Sequence, residues 1–193
     1  MNYKTILILI CTFITVAFSS SCSNSLKNHN YYLLSPTGPA STKQGVGIGV
    51  GPIVTASYLD RPYLTFQTSD NTLDVNEDHE WAGNLEDQFA RVLGTNIGRK
   101  VNSGNVQKYP WARDSEIDYQ IAVDVKRFHG TNNGEALLEA SWRIYKLPGS
   151  RQLVSKSVTM TEPLEEDGFA SLVAAQSRLL DRLSARISSS ISR

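Results

Sequence analysis

Cysteine and histidine are nearly missing from this chain, which has 2 Cys and 3 His among its 193 residues. That scarcity argues against a metal-binding protein. His29, His79 and His129 lie far apart, and although His79-Glu80 opens like H-E-x-x-H, Gly83 holds the place of the second histidine. No Walker A run and no G-x-S-x-G elbow is present. A Ser/His/Asp triad is not announced by spacing, because its members meet only in the fold. A charge surplus of either sign is missing too: 19 Lys plus Arg balance 19 Asp plus Glu, leaving nothing to draw the protein onto nucleic acid or an anionic bilayer. With 13 Gly and 7 Pro, the chain is too poor in both to be fibrous or disordered, and 40% hydrophobic residues suffice for a core. No cofactor is expected.

Long apolar runs are absent apart from Ile6 to Phe18, thirteen mostly apolar residues behind a single basic side chain, Lys4. As a helix that run reaches about 20 Å, short of a roughly 30 Å bilayer core, and it reads as a secretory signal. Ser19, Ser20 and Ser21 precede Cys22, the pattern of a lipoprotein signal in which the Cys22 thiol is acylated and becomes the first residue. Ser19 departs from the aliphatic residue usual three places before the cysteine. The rival is ordinary cleavage after Ser19, with Ala17 and Ser19 in the small-x-small positions; it would leave Cys22 as a lone thiol in an oxidising compartment. Ser23 is not the Asp that retains lipoproteins at the inner membrane, which favours the outer one. The expected organisation is a signal over 1–21, a lipidated tether over 22–30, and a domain over 31–193 that folds without disulfides.

Within that domain, Tyr31 to Leu34 predicts a short strand, and the stretch through Gln44 a loop. Residues 45–54, GVGIGVGPIV, space glycine by two, a strand period and not the G-x-G-x-x-G of a dinucleotide fold. Those glycines are expected to admit a neighbouring element closely. Tyr58 to Pro62 reads as a turn with Arg61 held extended by Pro62, leading into a strand at Tyr63 to Phe66. A short strand or turn follows at Thr72 to Val75. Asp78 is a candidate N-cap for a helix over about Glu80 to Arg99, whose apolar face would carry Trp81, Leu85, Phe89, Val92, Leu93 and Ile97. Residues 102–111 read as a loop and Phe128 to Gly134 as a turn. Strands at 117–125, 136–144 and 153–160 form an antiparallel meander, and a final helix runs from Asp167 or Gly168 to about Ser190. The fold class is therefore α+β: a two-layer domain with a mixed or largely antiparallel sheet, a three-strand meander and two long covering helices.

The candidate contact residues are Tyr58, Asp60, Arg61 and Pro62, since Tyr and Arg beside a rigid Pro turn are residue types that anchor interfaces. Against that stands a local Asp60–Arg61 salt bridge or plain turn, and core burial for Tyr58, Tyr63, Phe66 and Trp81. Glu162, Glu165, Glu166 and Asp167 are read as negative charge favouring the start of the last helix.

The segments YLDRP (58–62), EWAGNLEDQFARVLGTNIG (80–98), YPW (109–111), DYQIAVDVKRFHG (118–130) and LLEASWRIY (137–145), in this order, resemble the PqiC/YmbA family of ABC-type transport auxiliary lipoproteins. Glu80, Asn84 and His129 depart from residues usual in that family. The resemblance implies a non-enzymatic lipoprotein of a Gram-negative envelope, on the periplasmic face of the outer membrane. It also implies an MCE-domain protein of the paraquat-inducible type as partner, a homo-oligomeric ring at the end of its tube, and traffic of lipid or hydrophobic compounds. The alternative is an envelope assembly or maintenance lipoprotein that binds protein and is unrelated to lipid transport.

Overall fold

The computed structural model describes residues 29–191. The expected signal, Cys22 and all but the end of the tether lie outside the described residues.

Eight strands form one mixed sheet: β1 (Asn30–Tyr32), β2 (Ile48–Thr55), β3 (Tyr63–Ser69), β4 (Thr72–Trp81), β5 (Val106–Lys108), β6 (Tyr119–Thr131), β7 (Glu135–Lys146) and β8 (Arg151–Pro163). Two helices, α1 (Leu85–Lys100) and α2 (Phe169–Ile191), pack on each other and on the sheet, α1 against β2 and β5 and α2 against β7 and β8. The α+β two-layer expectation holds. β6, β7 and β8 form the antiparallel meander, paired from Tyr119↔Lys146 to Glu135↔Pro163 with a register shift between Val125 and Arg127 and another between Ile144 and Tyr145. The other long side of β6 is shared, with β2 parallel to Tyr119–Val125 and β3 parallel to Gly130–Thr131.

Alternation along β7 works as its sequence requires. Ala136, Leu138, Ala140, Trp142 and Ile144 are all buried and belong to the core. Phe89 of α1 meets Phe128 of β6 edge-on with ring centroids 4.7 Å apart, and Phe128 stacks on Trp81 at 6.2 Å. Such aromatic pairs contribute about 0.5–1.5 kcal/mol beyond their buried area.

Beyond β1, which ends at Tyr32 short of the expected Leu34, three boundaries depart from expectation. α1 starts at Leu85 and not near Glu80, and Asp78 lies inside β4. Trp81 does share helical spacing with Leu85 and Phe89, but its N–H is taken by Pro62 O at 2.6 Å, and Gly83 at φ +120° ends the strand in a conformation that no helix uses. Asn84 then caps α1 by accepting from Asp87 N at 3.0 Å. Second, the loop expected over 102–111 contains β5, whose three residues are too few for a pattern and become a strand through parallel pairing with β2. Third, β6 continues through the turn expected at Phe128, because His129 pairs with Leu137 and Gly130 with both Ala136 and Phe66.

Gly49 of β2 and Gly47 just before it behave as their spacing suggests. A Cβ on Gly47 would strike the backbone carbonyl of Glu116, and one on Gly49 would lie 2.7 Å from the Trp111 ring. The 111–117 segment lies where those side chains would be.

Residues 33–38 cross the outside of the helical layer as a strap. Leu34 is fully buried; its N–H donates to Gln88 Oε1 at 2.9 Å and its carbonyl accepts from Arg91 at 2.6 Å. Ser35 N donates to Ser177 Oγ of α2 at 3.1 Å, and Thr37 N to Asn96 Oδ1 of α1 at 3.1 Å. Asp181 closes the set, accepting from Thr37 Oγ1 at 2.6 Å and pairing with Lys100 at 2.8 Å and Arg99 at 3.0 Å.

Candidate functional site: the turn beside the first helix

β2 ends at Thr55 and β3 makes contact with β6 only at Phe66, which leaves a gap in the sheet beside Lys126 to His129. A 3-10 turn, Ser57–Asp60, crosses that gap. Ala56 N donates to Val125 O at 2.9 Å, Leu59 sinks into the core, and the Tyr58 hydroxyl accepts from Phe128 N at 3.0 Å. Tyr58 thus stands in for a missing strand partner. Burial pushes its phenol up, so the hydroxyl keeps its proton at neutral pH.

The other three candidates sit on the rim of this plug. Asp60, Arg61 and Pro62 are exposed, and Arg61 has φ −77° and ψ 146°, the extended geometry that Pro62 demands. The Asp60–Arg61 ion pair does not form: among the described residues no carboxylate lies within 4.0 Å of the Arg61 guanidinium, and Asp60 accepts from Thr55 Oγ1 at 3.3 Å instead. Arg61 and Pro62 border a hollow of about 270 Å³ whose far wall is the start of α1, with Asn84, Leu85 and Glu86, above buried Trp81. Of the aromatics expected in the core, Trp81 is buried within it, Tyr58 and Phe66 are partly buried and pack against the core, and Tyr63 is half-buried.

The acidic run before α2 has a more specific role than its helix-terminal position suggested. Glu162 accepts from Arg178 at 2.9 Å and Arg182 at 2.8 Å, and Glu165 pairs with Arg178 at 3.0 Å. α2 itself has no acidic residue in its first turn. Pairing of β1 with β4 brings His29 beside His79, with His29 Nδ1 3.0 Å from Glu80 Oε1, while His129 lies elsewhere in the sheet. His79 bonds Tyr32 Oη at 2.7 Å and stacks on Phe169 at 3.8 Å, while His129 donates from Nδ1 to Gly130 O at 3.0 Å. Among the described residues, no three His, Cys, Asp or Glu side chains are grouped to hold a metal, and no helix is long and apolar enough to cross a membrane.

His129 is 2% exposed, and burial, with the Arg127 charge, holds its pKa below the ordinary imidazole value despite the bond to Gly130. The unfolded chain therefore takes up a proton near pH 6.5 that the folded chain refuses, so this contribution to stability is present above that pH and is lost as pH falls. We expect the melting temperature to drop between pH 7 and pH 5, and His129→Asn, which keeps a donor for Gly130, to flatten that drop. An equal slope in the variant assigns the pH dependence elsewhere.

The sequence reading missed a hollow of about 650 Å³ between the strap and β5 along α1, bordered by Leu33, Asp87, Arg91 and Lys108. Its signal was available: Gly94 and Gly98 one turn apart in a helix, where glycine is unfavourable. A Cβ on Gly98 would lie 2.7 Å from Val106, so the glycines let β5 approach α1.

Comparison with known proteins agrees with this architecture. Over 185 residues, 93% of this chain and 95% of the relative, the sequence is 23% identical to the intermembrane transport lipoprotein PqiC of Escherichia coli, and it matches PqiC of Shigella flexneri equally. Among solved structures, an uncharacterized protein superposes with a TM-score of 0.72 at 19% identity, covering 85% of this chain and 99% of that one. A Xanthomonas campestris protein superposes with a TM-score of 0.64 at 19% identity, covering 82% and 92%. These two structures establish the fold alone. The sequence profile described as the ABC-type transport auxiliary lipoprotein component, which is an auxiliary and not a catalytic family, matches residues 31–188. With that match spanning nearly the whole described domain, the chain belongs to the ABC-type transport auxiliary lipoprotein family.

Proposed function

We propose that this protein is a non-enzymatic, outer-membrane-anchored component of an MCE-type intermembrane transport system, docking or stabilising the tube that spans the periplasm. In this reading residues 1–21 are the signal, Cys22 carries the acyl chains, 22–30 form the tether, and 31–193 are the working domain, assembled as a ring at the end of the tube. The family match and the PqiC likeness support the transport setting.

The observation that carries the docking role is the Arg61-Pro62 turn. Its base is fixed by Leu59 and by the Tyr58–Phe128 bond, while Arg61 projects without an ion-pair partner among the described residues. Docking on a pre-ordered arginine loses less conformational entropy than docking on a mobile one, and its planar fork pairs and stacks at once. Two variants test the halves of the reading. Arg61→Ala should melt within about 2 °C of the wild type, as exposed substitutions do, while capture of the MCE-domain partner falls ten-fold or more, about 1.4 kcal/mol. Cys22→Ser should leave the outer-membrane fraction and lose fatty-acid labelling. Undiminished capture by Arg61→Ala removes the docking surface, and a Cys22→Ser chain that stays labelled and membrane-bound removes the anchor.

A further inference from the structure

The two long edges of the sheet are open and carry opposite charge. On one side β1 covers β4 only at His79–Trp81, which leaves the outer edge of Thr72–Asn76 without a strand among the described residues. On the other side, among the described residues, no strand pairs with the outer edge of β8. Its far end is closed by α2, where Arg182 donates to Thr161 O at 2.7 Å and Arg178 to Pro163 O at 3.1 Å. Arg151 to Thr159 stays open.

Open edges are usually blunted, because their unpaired N–H and C=O groups recruit other strands. Here the flanking chemistry is complementary instead. Between Arg61 and Arg91 there is no Lys or Arg, and the β4 edge presents exposed Asp70, Asp74 and Glu77. Between Glu139 and Glu162 there is no Asp or Glu, and the β7–β8 side presents exposed Arg143, Arg151 and Lys156. Each edge also carries one outward leucine, Leu73 at 38% exposure and Leu153 at 40%, two of only six large hydrophobics this exposed among the described residues.

We infer that the β4 edge of one copy pairs with the β8 edge of a second copy, so that the sheet continues from subunit to subunit. The occupant is this chain itself because both edges are unpaired strands among the described residues and complement each other in charge, acid on the β4 side against base on the β8 side. Pairing different edges is head-to-tail, which builds closed rings or open chains and not two-fold dimers. Like charges oppose β4–β4 and β8–β8 pairing. The inference rests on the proposed function only for the existence of self-assembly; the edges lie apart from the Arg61 turn, and their variants leave that turn unaltered.

The test uses the full-length chain extracted in detergent. Light scattering should find multimers for the wild type, and association weakened at least ten-fold by Asp74→Lys with Glu77→Lys, or by Arg151→Glu with Lys156→Glu. All four changes together should restore it. Co-expressed Asp74→Cys and Lys156→Cys chains should then give an oxidised dimer that neither chain gives alone. A wild type that is monomeric, a four-fold variant that fails to reassemble, or a Lys156→Cys dimer as abundant alone as in the mixture overturns the inference. Weakened capture by Arg61→Ala with intact multimers keeps the two surfaces distinct.

Discussion

Gly47→Ala is expected to lower the melting temperature by about 6–12 °C, corresponding to about 3 kcal/mol in a domain of this size. The added methyl would meet the carbonyl of Glu116, which is backbone and cannot rotate aside. Around Gly47 the chain is also tied on both sides: its N–H donates to Asp118 Oδ2 at 2.9 Å, and its carbonyl accepts from Asp118 N at 2.9 Å and Tyr119 N at 3.0 Å. Any shift that relieves the clash therefore disturbs the start of β6. Gly134→Ala is the control, with φ +71° but nothing within 4 Å of its Cβ; it carries only the left-handed penalty of roughly 1–2 kcal/mol. Thermal unfolding of both variants decides the matter. Gly47→Ala melting no lower than Gly134→Ala would show that the 111–117 segment yields easily.

Phe89→Ala is expected to cost about 3–5 kcal/mol, or roughly 6–20 °C. The ring is fully buried and joins α1 to β6 through Phe128 and, beyond it, to Trp81 of β4. Its loss leaves a cavity under the turn of α1 that forms one wall of the Arg61 hollow, so partner capture should weaken as well. Phe89→Leu fills most of the space and should cost less than half as much. Equal melting of the two variants would assign the effect to lost aromatic contact and not to the cavity.

The meander and α2 were legible because each of their elements obeys a single period over eight residues or more. β7 shows period two and α2 the 3, 4 and 7 recurrence, and in both the apolar positions are the buried ones. β4 was not legible as a long strand. Its sequence, TLDVNEDHEW, is polar on both faces, and what makes it a strand is pairing with β3 on one side and β1 on the other. β5 failed to register for the same reason. The turn at 58–62 was visible through Pro62, but the part Tyr58 plays there was not, since a hydroxyl answering Phe128 seventy residues away leaves no local trace. Arg61, held extended by its neighbour, was the more readable half of the site.

The strap has a mechanical consequence. Tension entering at His29 loads first the three β1–β4 rungs, Asn30↔His79 to Tyr32↔Trp81, and then the bonds from Leu34, Ser35 and Thr37 to Gln88, Ser177 and Asn96. Those bonds anchor to α1 and α2 alternately, so a pull on the N-terminal end is shared by both helices before it reaches β2. Asp181, gripping Thr37, Arg99 and Lys100 together, is the last fastening on that route. A pull on the leading end is thus taken by β4 and by both helices together, and β2, the next strand in the chain, feels it last.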